Sequence, residues 1–351
     1  MLHQIVCGLS RRSLDIELQS SNNIDELDKD NRSALWYSVA HGHREHVLLL
    51  LERGADPNVG DTPIKEIRSV RSAYEITKAL IEHGATPNFS NDREFWLVWE
   101  SRESQESQES QDSRSSFCVH PYDDIATDKL LIDWGIDINH RAVWDGVEDV
   151  TILMRLSDSY LSQAHRVQQL IELGADLEMM DQNGESAIMY ALHEPCPKSF
   201  EVLARAGARL DVQNTAGNTI LHIIILRTWG YRDFVKLYEV LLHNVDFTML
   251  DLHARNADGH TALDLLKLRN GLKWDGYCDS KGIQRKRKGA SGGRRCYFPG
   301  NEIRFIHAME DLFKDIQDAQ GVAEEDRYPP LSEYLSGDVE HEAVPGAWPV
   351  W

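Results

Sequence analysis

One seven-residue phrase returns along this chain, and it limits the fold more than any other feature. It reads Leu50-Leu51-Glu52-Arg53-Gly54-Ala55-Asp56, then Leu80-Ile81-Glu82-His83-Gly84-Ala85-Thr86, Leu131-Ile132-Asp133-Trp134-Gly135-Ile136-Asp137 and Leu170-Ile171-Glu172-Leu173-Gly174-Ala175-Asp176. Looser copies are Leu203–Ala208 and Leu241–Asp246. A second phrase, Ser or Thr, then a small or apolar residue, then Leu or Ile, precedes most copies by about twenty residues. It appears at Ser33, Thr62, Thr151, Ser186, Thr219 and Thr261. Ser186 to Thr219 is 33 residues, and so is Gly174 to Gly207. A repeat of this length is one supersecondary unit that cannot hide its apolar face alone, so such units must stack.

The residue types at each position say what each unit is. A Ser or Thr hydroxyl at a helix start accepts from backbone N–H groups that have no partner within the helix. Leu35, Val39 and Ala40 follow at helical spacing, and Val47, Leu50 and Leu51 form a second stripe. Glycine after each second stripe permits the left-handed backbone that stops a helix. Asp and Asn beyond it favour the turn into the next unit. The expected unit is two short antiparallel helices and a protruding turn.

Asn214–His222, reading Asn-Thr-Ala-Gly-Asn-Thr-Ile-Leu-His, resembles the turn and helix opening of the ankyrin-repeat family. Six copies of each phrase carry that resemblance from Asp28 to Lys267, about two thirds of the chain. The opening Leu2–Ser10 is similar to openings of filamentous-fungal members. The resemblance implies an all-α solenoid of paired antiparallel helices closed by capping helices. By register, capping helices occupy 1–27 and the repeats occupy 28–270. A Ser/Gln/Glu tract without apolar residues, about 101–116, interrupts the third repeat and is expected to be disordered. A basic, Gly-rich loop covers 271–301, and an amphipathic helix covers 302–320, bearing Phe305, Ile306, Met309, Leu312, Phe313 and Ile316. An extended tail, 321–351, holds Trp348 and Trp351, which either fold back on the repeats or serve as a docking peptide.

In the family the partner lies against the turns and the first helix of each pair, so the resemblance implies a non-catalytic protein-binding module. Carried over by register, the partner-facing residues are Lys29, Asp30, Arg32, Trp36 and His41; Gln182, Asn183, Glu185, His193 and Glu194; Thr215, Asn218 and Arg227; and Asp258 and His260. Trp36, Tyr37 and Trp229 are candidate aromatic anchors, with Trp36 alternatively packed between units. His222 stands where the family places a histidine bonded to the cap threonine, here Thr219. Trp36, Met154, Met189 and Asp264 replace that histidine elsewhere, so the polar link is expected to be missing there.

Other chemistry finds little support. The sequence holds no nucleophile elbow, metalloprotease helix, phosphate loop or dinucleotide fingerprint. No catalytic residue, cofactor or metal is therefore expected. His41, His43 and His46 could suggest a metal cluster, but Gly42-His43 falls at the family's link between paired helices. Five scattered cysteines with no CxxC pair point to a reducing compartment rather than a disulfide framework. The net charge of −20 disfavours nucleic acid and anionic membranes as partners. Neither a signal peptide at Met1–Arg12 nor a membrane span is expected. The expected state is a cytoplasmic monomer bound to one or more proteins. One segment breaks the acidic field: Lys281, Arg285, Lys286, Arg287, Lys288, Arg294 and Arg295. It reads as an import signal centred on Arg285–Lys288, a nucleic-acid contact, or a loop lying on the acidic repeats. The import reading makes the alternative function a nuclear adaptor or transcription-related regulator.

Overall fold

A computed structural model describes residues 3, 14, 23–61, 63, 66, 73–86, 121–158, 164–193, 197–227, 231–270, 299–324 and 327. The expected disordered tract, Glu194, Trp229, the basic residues 281–295 with Arg285–Lys288, and the Trp-bearing tail lie outside the described residues. The chain divides into two compact units, Met1–Ala142 and Val143–Trp351. The fold is all-α in class, with paired antiparallel helices in ankyrin fashion and one small hairpin.

In the first unit, α1 (Ala34–Ala40) packs on α2 (Arg44–Glu52), α2 on α3 (Ala73–Glu82), and α3 on α4 (Pro121–Asp133). Ser33 starts α1 as expected, its hydroxyl accepting from the Trp36 N–H at 3.2 Å. Leu35 and Val39, then Val47, Leu50 and Leu51, then Ile76 and Leu80, form the buried seam.

The recurring Leu-Leu-x-x-Gly-Ala phrase has one structural meaning in every strong copy. The glycine N–H and the N–H after it turn back onto carbonyls of the last helical turn, as Gly54→Leu51 and Ala55→Leu50, or Gly174→Ile171 and Ala175→Leu170. Gly174 has φ 94, open to glycine at no steric penalty. The residue after the glycine is buried each time: Ala55, Ala85, Ile136, Ala175 and Ala208. A small apolar residue there lets the chain leave the helix across the core.

In the second unit a hairpin, β1 (Ala142–Trp144) and β2 (Val147–Val150), precedes α5 (Ile152–Ser157) and α6 (Ala164–Glu172). The pairs α7 (Ala187–Tyr190) with α8 (Pro197–Arg205), α9 (Ile220–Leu226) with α10 (Tyr231–Asn244), and α11 (Ala262–Asn270) with α12 (Pro299–Ala319) follow. The second helices contact one another in succession, α6 to α8 to α10 to α12, while α5 contacts α7 and α9 contacts α11. Phe200, Phe234 and Phe305, all fully buried, mark that seam. The long turn before α11 contains a 3₁₀ turn, Phe247–Met249, against which α12 also packs.

The hairpin was not foreseen. Asp145 and Gly146 have φ 49 and 81, as a two-residue turn of mirror-image type requires, and Asp-Gly is its usual sequence. The Arg155 guanidinium lies 4.0 Å from the Trp144 ring centre and braces the hairpin on α5.

Candidate functional site

The turns are built alike by one side chain. Asp28, Asp181, Asn214 and Asn256 each use Oδ1 to accept from the backbone N–H groups two and four residues on. Each also donates its own N–H to the carbonyl four residues on. Five residues are thus closed into a small rigid loop. The second side-chain atom selects between acid and amide. Asp28 and Asp181 accept through Oδ2 from a tyrosine hydroxyl nine residues on, Tyr37 at 2.7 Å and Tyr190 at 2.9 Å. Asn214 and Asn256 have Ile223 and Leu265 at that place, and their amides donate instead to the preceding turn, at Glu185 Oε1 and Asn218 Oδ1.

The tips are also joined to one another. Asp61 N–H donates to Asn31 O at 2.8 Å in the first unit. In the second, Gln182 N–H donates to Glu148 O at 3.1 Å, Thr215 N–H to Asn183 O at 2.8 Å and Ala257 N–H to Ala216 O at 2.8 Å. The unforeseen hairpin supplies the first acceptor of that ladder. Gly217 makes the close approach possible. Its φ is 71, and a Cβ there would sit 3.0 Å from both Asn256 Cα and Ala257 N.

Helix starts are held by reciprocal bonds. His222 Nδ1 accepts from Thr219 N–H at 3.2 Å and lies 2.8 Å from Thr219 Oγ1, while Nε2–H donates to His260 O at 3.0 Å. One imidazole therefore caps a helix and ties two repeats, which is a structural role. Burial pushes its pKa down and keeps it neutral. The expected loss of this link elsewhere needs correction. Asp264 Oδ2 accepts from Thr261 N–H while Thr261 Oγ1 accepts from Asp264 N–H, so a carboxylate replaces the imidazole. Met154 offers its sulfur to Thr151 N–H at 3.5 Å, a weaker version of the same geometry.

Between the turns and the first helices of the second unit lies a polar cluster. His193 Nε2 is 2.8 Å from Glu185 Oε2, and its Nδ1 is 3.9 Å from Asp158 Oδ1. The Tyr190 ring lies 4.8 Å from the imidazole. Burial pushes the Glu185 carboxyl up, but the His193 bond and charge, the Asn214 amide and the Arg227 charge outweigh it and hold it below its ordinary value. A depressed folded pKa stabilises above the unfolded value and is lost as pH falls through the folded one. Glu185→Gln is therefore expected to cost stability at pH 6 by roughly 1 kcal/mol and much less near pH 3. Urea midpoints of the two proteins at both pH values check this, and an equal gap at both contradicts it.

The residues read as partner-facing fall into two groups. Lys29, Asp30, His41, Gln182, Asn183 and Thr215 are exposed. Arg32, Glu185, His193, Asn218, Arg227, Asp258 and His260 are half-buried. Several of these bind within the chain: Glu185 to His193 and Asn214, Asn218 to Asn256, and His260 through its carbonyl to His222. Trp36 is only 6% exposed, with the Arg32 guanidinium 4.1 Å from its ring centre, so it offers a partner little surface and acts in packing. The recurrent Asp-to-Tyr spacing of nine residues was the available and unread signal for the turn latch. Among the described residues, no three His, Cys, Asp or Glu side chains are grouped to hold a metal ion, and no helix is long and apolar enough to cross a membrane.

A family model described as ankyrin repeat matches residues 30–62. The ankyrin repeat protein FPV222 of fowlpox virus (strain NVSL) is 28% identical over 102 residues, which is 28% of this chain and 14% of that protein. The ankyrin repeat protein L371 of Acanthamoeba polyphaga mimivirus is 22% identical over 277 residues, 72% of this chain and 33% of that protein. The chain thus spans well under two thirds of either viral relative. The ankyrin repeat domain of human ASB11 is similar with a TM-score of 0.44 at 19% identity, over 63% of this chain and 89% of that one. The family match falls on one whole repeat, and turns, helix caps and helix ends of the same construction recur through both units; together these findings support an ankyrin-repeat family for the chain.

Proposed function

We propose that this chain is a non-catalytic binding module whose protein partner lies across the turn tips and the first helices of the repeats. Ankyrin repeats generally mediate protein–protein interaction. The observation that carries the reading for this chain is the ladder joining Glu148, Gln182, Asn183, Thr215, Ala216 and Ala257 through backbone groups. Backbone bonding fixes the tips, while Gln182, Asn183 and Thr215 remain exposed on them. A surface rigid before contact loses little conformational entropy on binding.

The test replaces tip side chains while leaving their backbone bonds in place. Gln182→Arg with Thr215→Arg is expected to reduce retention of specific partners about tenfold in quantitative affinity capture, with an unchanged circular dichroism spectrum. Undiminished capture of every partner contradicts the reading.

The nuclear-adaptor alternative rests on the basic residues Lys281–Arg295 in a chain of net charge −20. Changing Arg285, Lys286, Arg287 and Lys288 to Ala in a fluorescently tagged full chain is expected to remove nuclear signal. An unchanged distribution ends that alternative.

A further inference from the structure

On the surface of the first unit a continuous run of rings extends from the latch tyrosine, Tyr37. The His3 ring meets Tyr37 edge-on at 5.7 Å, and Tyr37 stacks with His41 at 6.3 Å. His41 stacks with His43 at 5.8 Å, nearly parallel at 7°, and His43 meets His46 at 5.2 Å. His41, His43 and Arg44 are exposed.

We propose that the His41–His43–His46 ladder, with Arg44 and Arg32 beside it, is an acid-strengthened docking patch for a carboxylate-rich segment of the partner protein. The proposal rests on the protein-binding reading above and adds the chemistry of the partner.

Three observations carry it. First, the ladder can take up positive charge where a ligand can reach it. His41 Nδ1–H is committed to the Tyr37 carbonyl at 2.8 Å, so Nε2 is the nitrogen left for a ligand, and the residue is exposed. His46 Nδ1 is buried with no hydrogen-bond partner among the described residues. Second, charging the ladder without a ligand is unfavourable. Burial, then the neighbouring His46 and His41, push the His43 pKa down. An anion laid across the rings relieves that repulsion, so anion binding and proton uptake favour each other by linkage. Third, charges of both signs surround the ladder, and the turn acid bonded to Tyr37 is engaged. The Asp28 carboxylate is held by the Tyr37 hydroxyl and by the Asp30 and Arg32 amides. Other charged groups on these elements are Lys29 and Asp30 on the turn, Arg44, Glu45 and Glu52 on α2, and Glu75, Lys78 and Glu82 on α3, where Lys78 and Glu82 lie 4.0 Å apart. Within a chain of net charge −20 the ladder is a protonatable island. A carboxylate-rich segment complements it, whereas a basic one is repelled once the rings charge.

Sign and size follow from imidazole chemistry. Histidine gains charge between about pH 8 and pH 5, so affinity for a polyanion rises as pH falls. The probe is a fluorescein-labelled oligoglutamate peptide, titrated by anisotropy with the full chain at low ionic strength. The expected result is binding about tenfold tighter at about pH 5.5 than at about pH 7.5. His41→Gln with His43→Gln should abolish most of that gain. Should the double variant lose its fold, His41→Gln alone serves, because its ring is exposed. No binding, no gain on acidification, or the same gain in the variant overturns the proposal. If the tip variants of the second unit still lose partners while oligoglutamate fails to bind, only the acidic-partner inference falls.

Discussion

Phe234→Ala is expected to destabilise the second unit by about 3–5 kcal/mol. Phe234 is fully buried on α10, and its ring meets Phe305 of α12 edge-on, with centroids 4.9 Å apart at 67°. Truncation removes the transfer energy of a whole aromatic side chain and leaves a cavity. It also removes an aromatic pair worth about 0.5–1.5 kcal/mol beyond its area. The site has little freedom to collapse, because α12 is pinned on both sides of the gap. Arg269 of α11 places its guanidinium 4.1 Å from the Phe305 ring centre and donates to the Ile225 and Arg227 carbonyls. Gln320 just past α12 donates to the Phe247 and Leu250 carbonyls, and the Tyr238 hydroxyl binds Asp315. Urea unfolding followed by circular dichroism measures the loss, and a change below about 1 kcal/mol means that α12 does not close the stack through this ring.

Asp181→Ala is expected to lose about 2–4 kcal/mol through a different mechanism. The side chain is buried, its Oδ1 accepts from Asn183 and Glu185 N–H at 2.9 and 2.7 Å, and its Oδ2 accepts from the buried Tyr190 hydroxyl. Alanine leaves these donors, and the Asn183 side-chain amide that also donates to Oδ2 at 3.2 Å, without their acceptor. Asp181→Asn separates the two functions of the carboxylate. Its amide oxygen can still hold the turn, as Asn214 and Asn256 do, but its NH₂ faces the Tyr190 hydroxyl, which must rotate to accept. The asparagine variant should lose about 1 kcal/mol, less than the alanine one. Thermal unfolding of both variants ranks them. Equal losses would mean that the turn amides contribute nothing beyond the tyrosine latch.

These two residues show which parts of the fold could be read from sequence. Local rules were legible because one residue type performs one backbone task. Ser33 and Thr219 start helices, and the Gly54 and Gly174 phrases end them as their chemistry dictates. Phe305 was legible as part of an amphipathic stripe, but its meeting with Phe234 depends on how α12 lies on α10, which no spacing encodes. The latch pairs Asp28–Tyr37 and Asp181–Tyr190 were present as a repeated nine-residue interval, but an aspartate in a turn already had an explanation as a turn former. A residue-by-residue template expects histidine where Asp264 stands, whereas the capping part of the task is to accept from Thr261 N–H, and a carboxylate does that too. The hairpin was missed because a helical period held before and after it, and Asp145-Gly146 is too short to disturb that pattern.

The same distinction applies to the candidate surface. Register alone placed Gln182, Asn183 and Thr215 outward, and they are exposed. Register could not tell that Glu185 and His193 bind each other, or that Asn214 from the next repeat binds Glu185, because those partners meet only through stacking. Trp36 looked like an anchor because large aromatics dominate interfaces, and the same surface area makes it valuable within the core.

Backbone bonds join successive turn tips without any partner. Amide hydrogen exchange read residue by residue tests it most directly. The Gln182, Thr215 and Ala257 amides, although placed at surface turns, are expected to exchange slowly, each being donated to the preceding tip. Thr215 and Ala257 amides that exchange as fast as an open loop would contradict it, and the preformed docking surface would then have no basis.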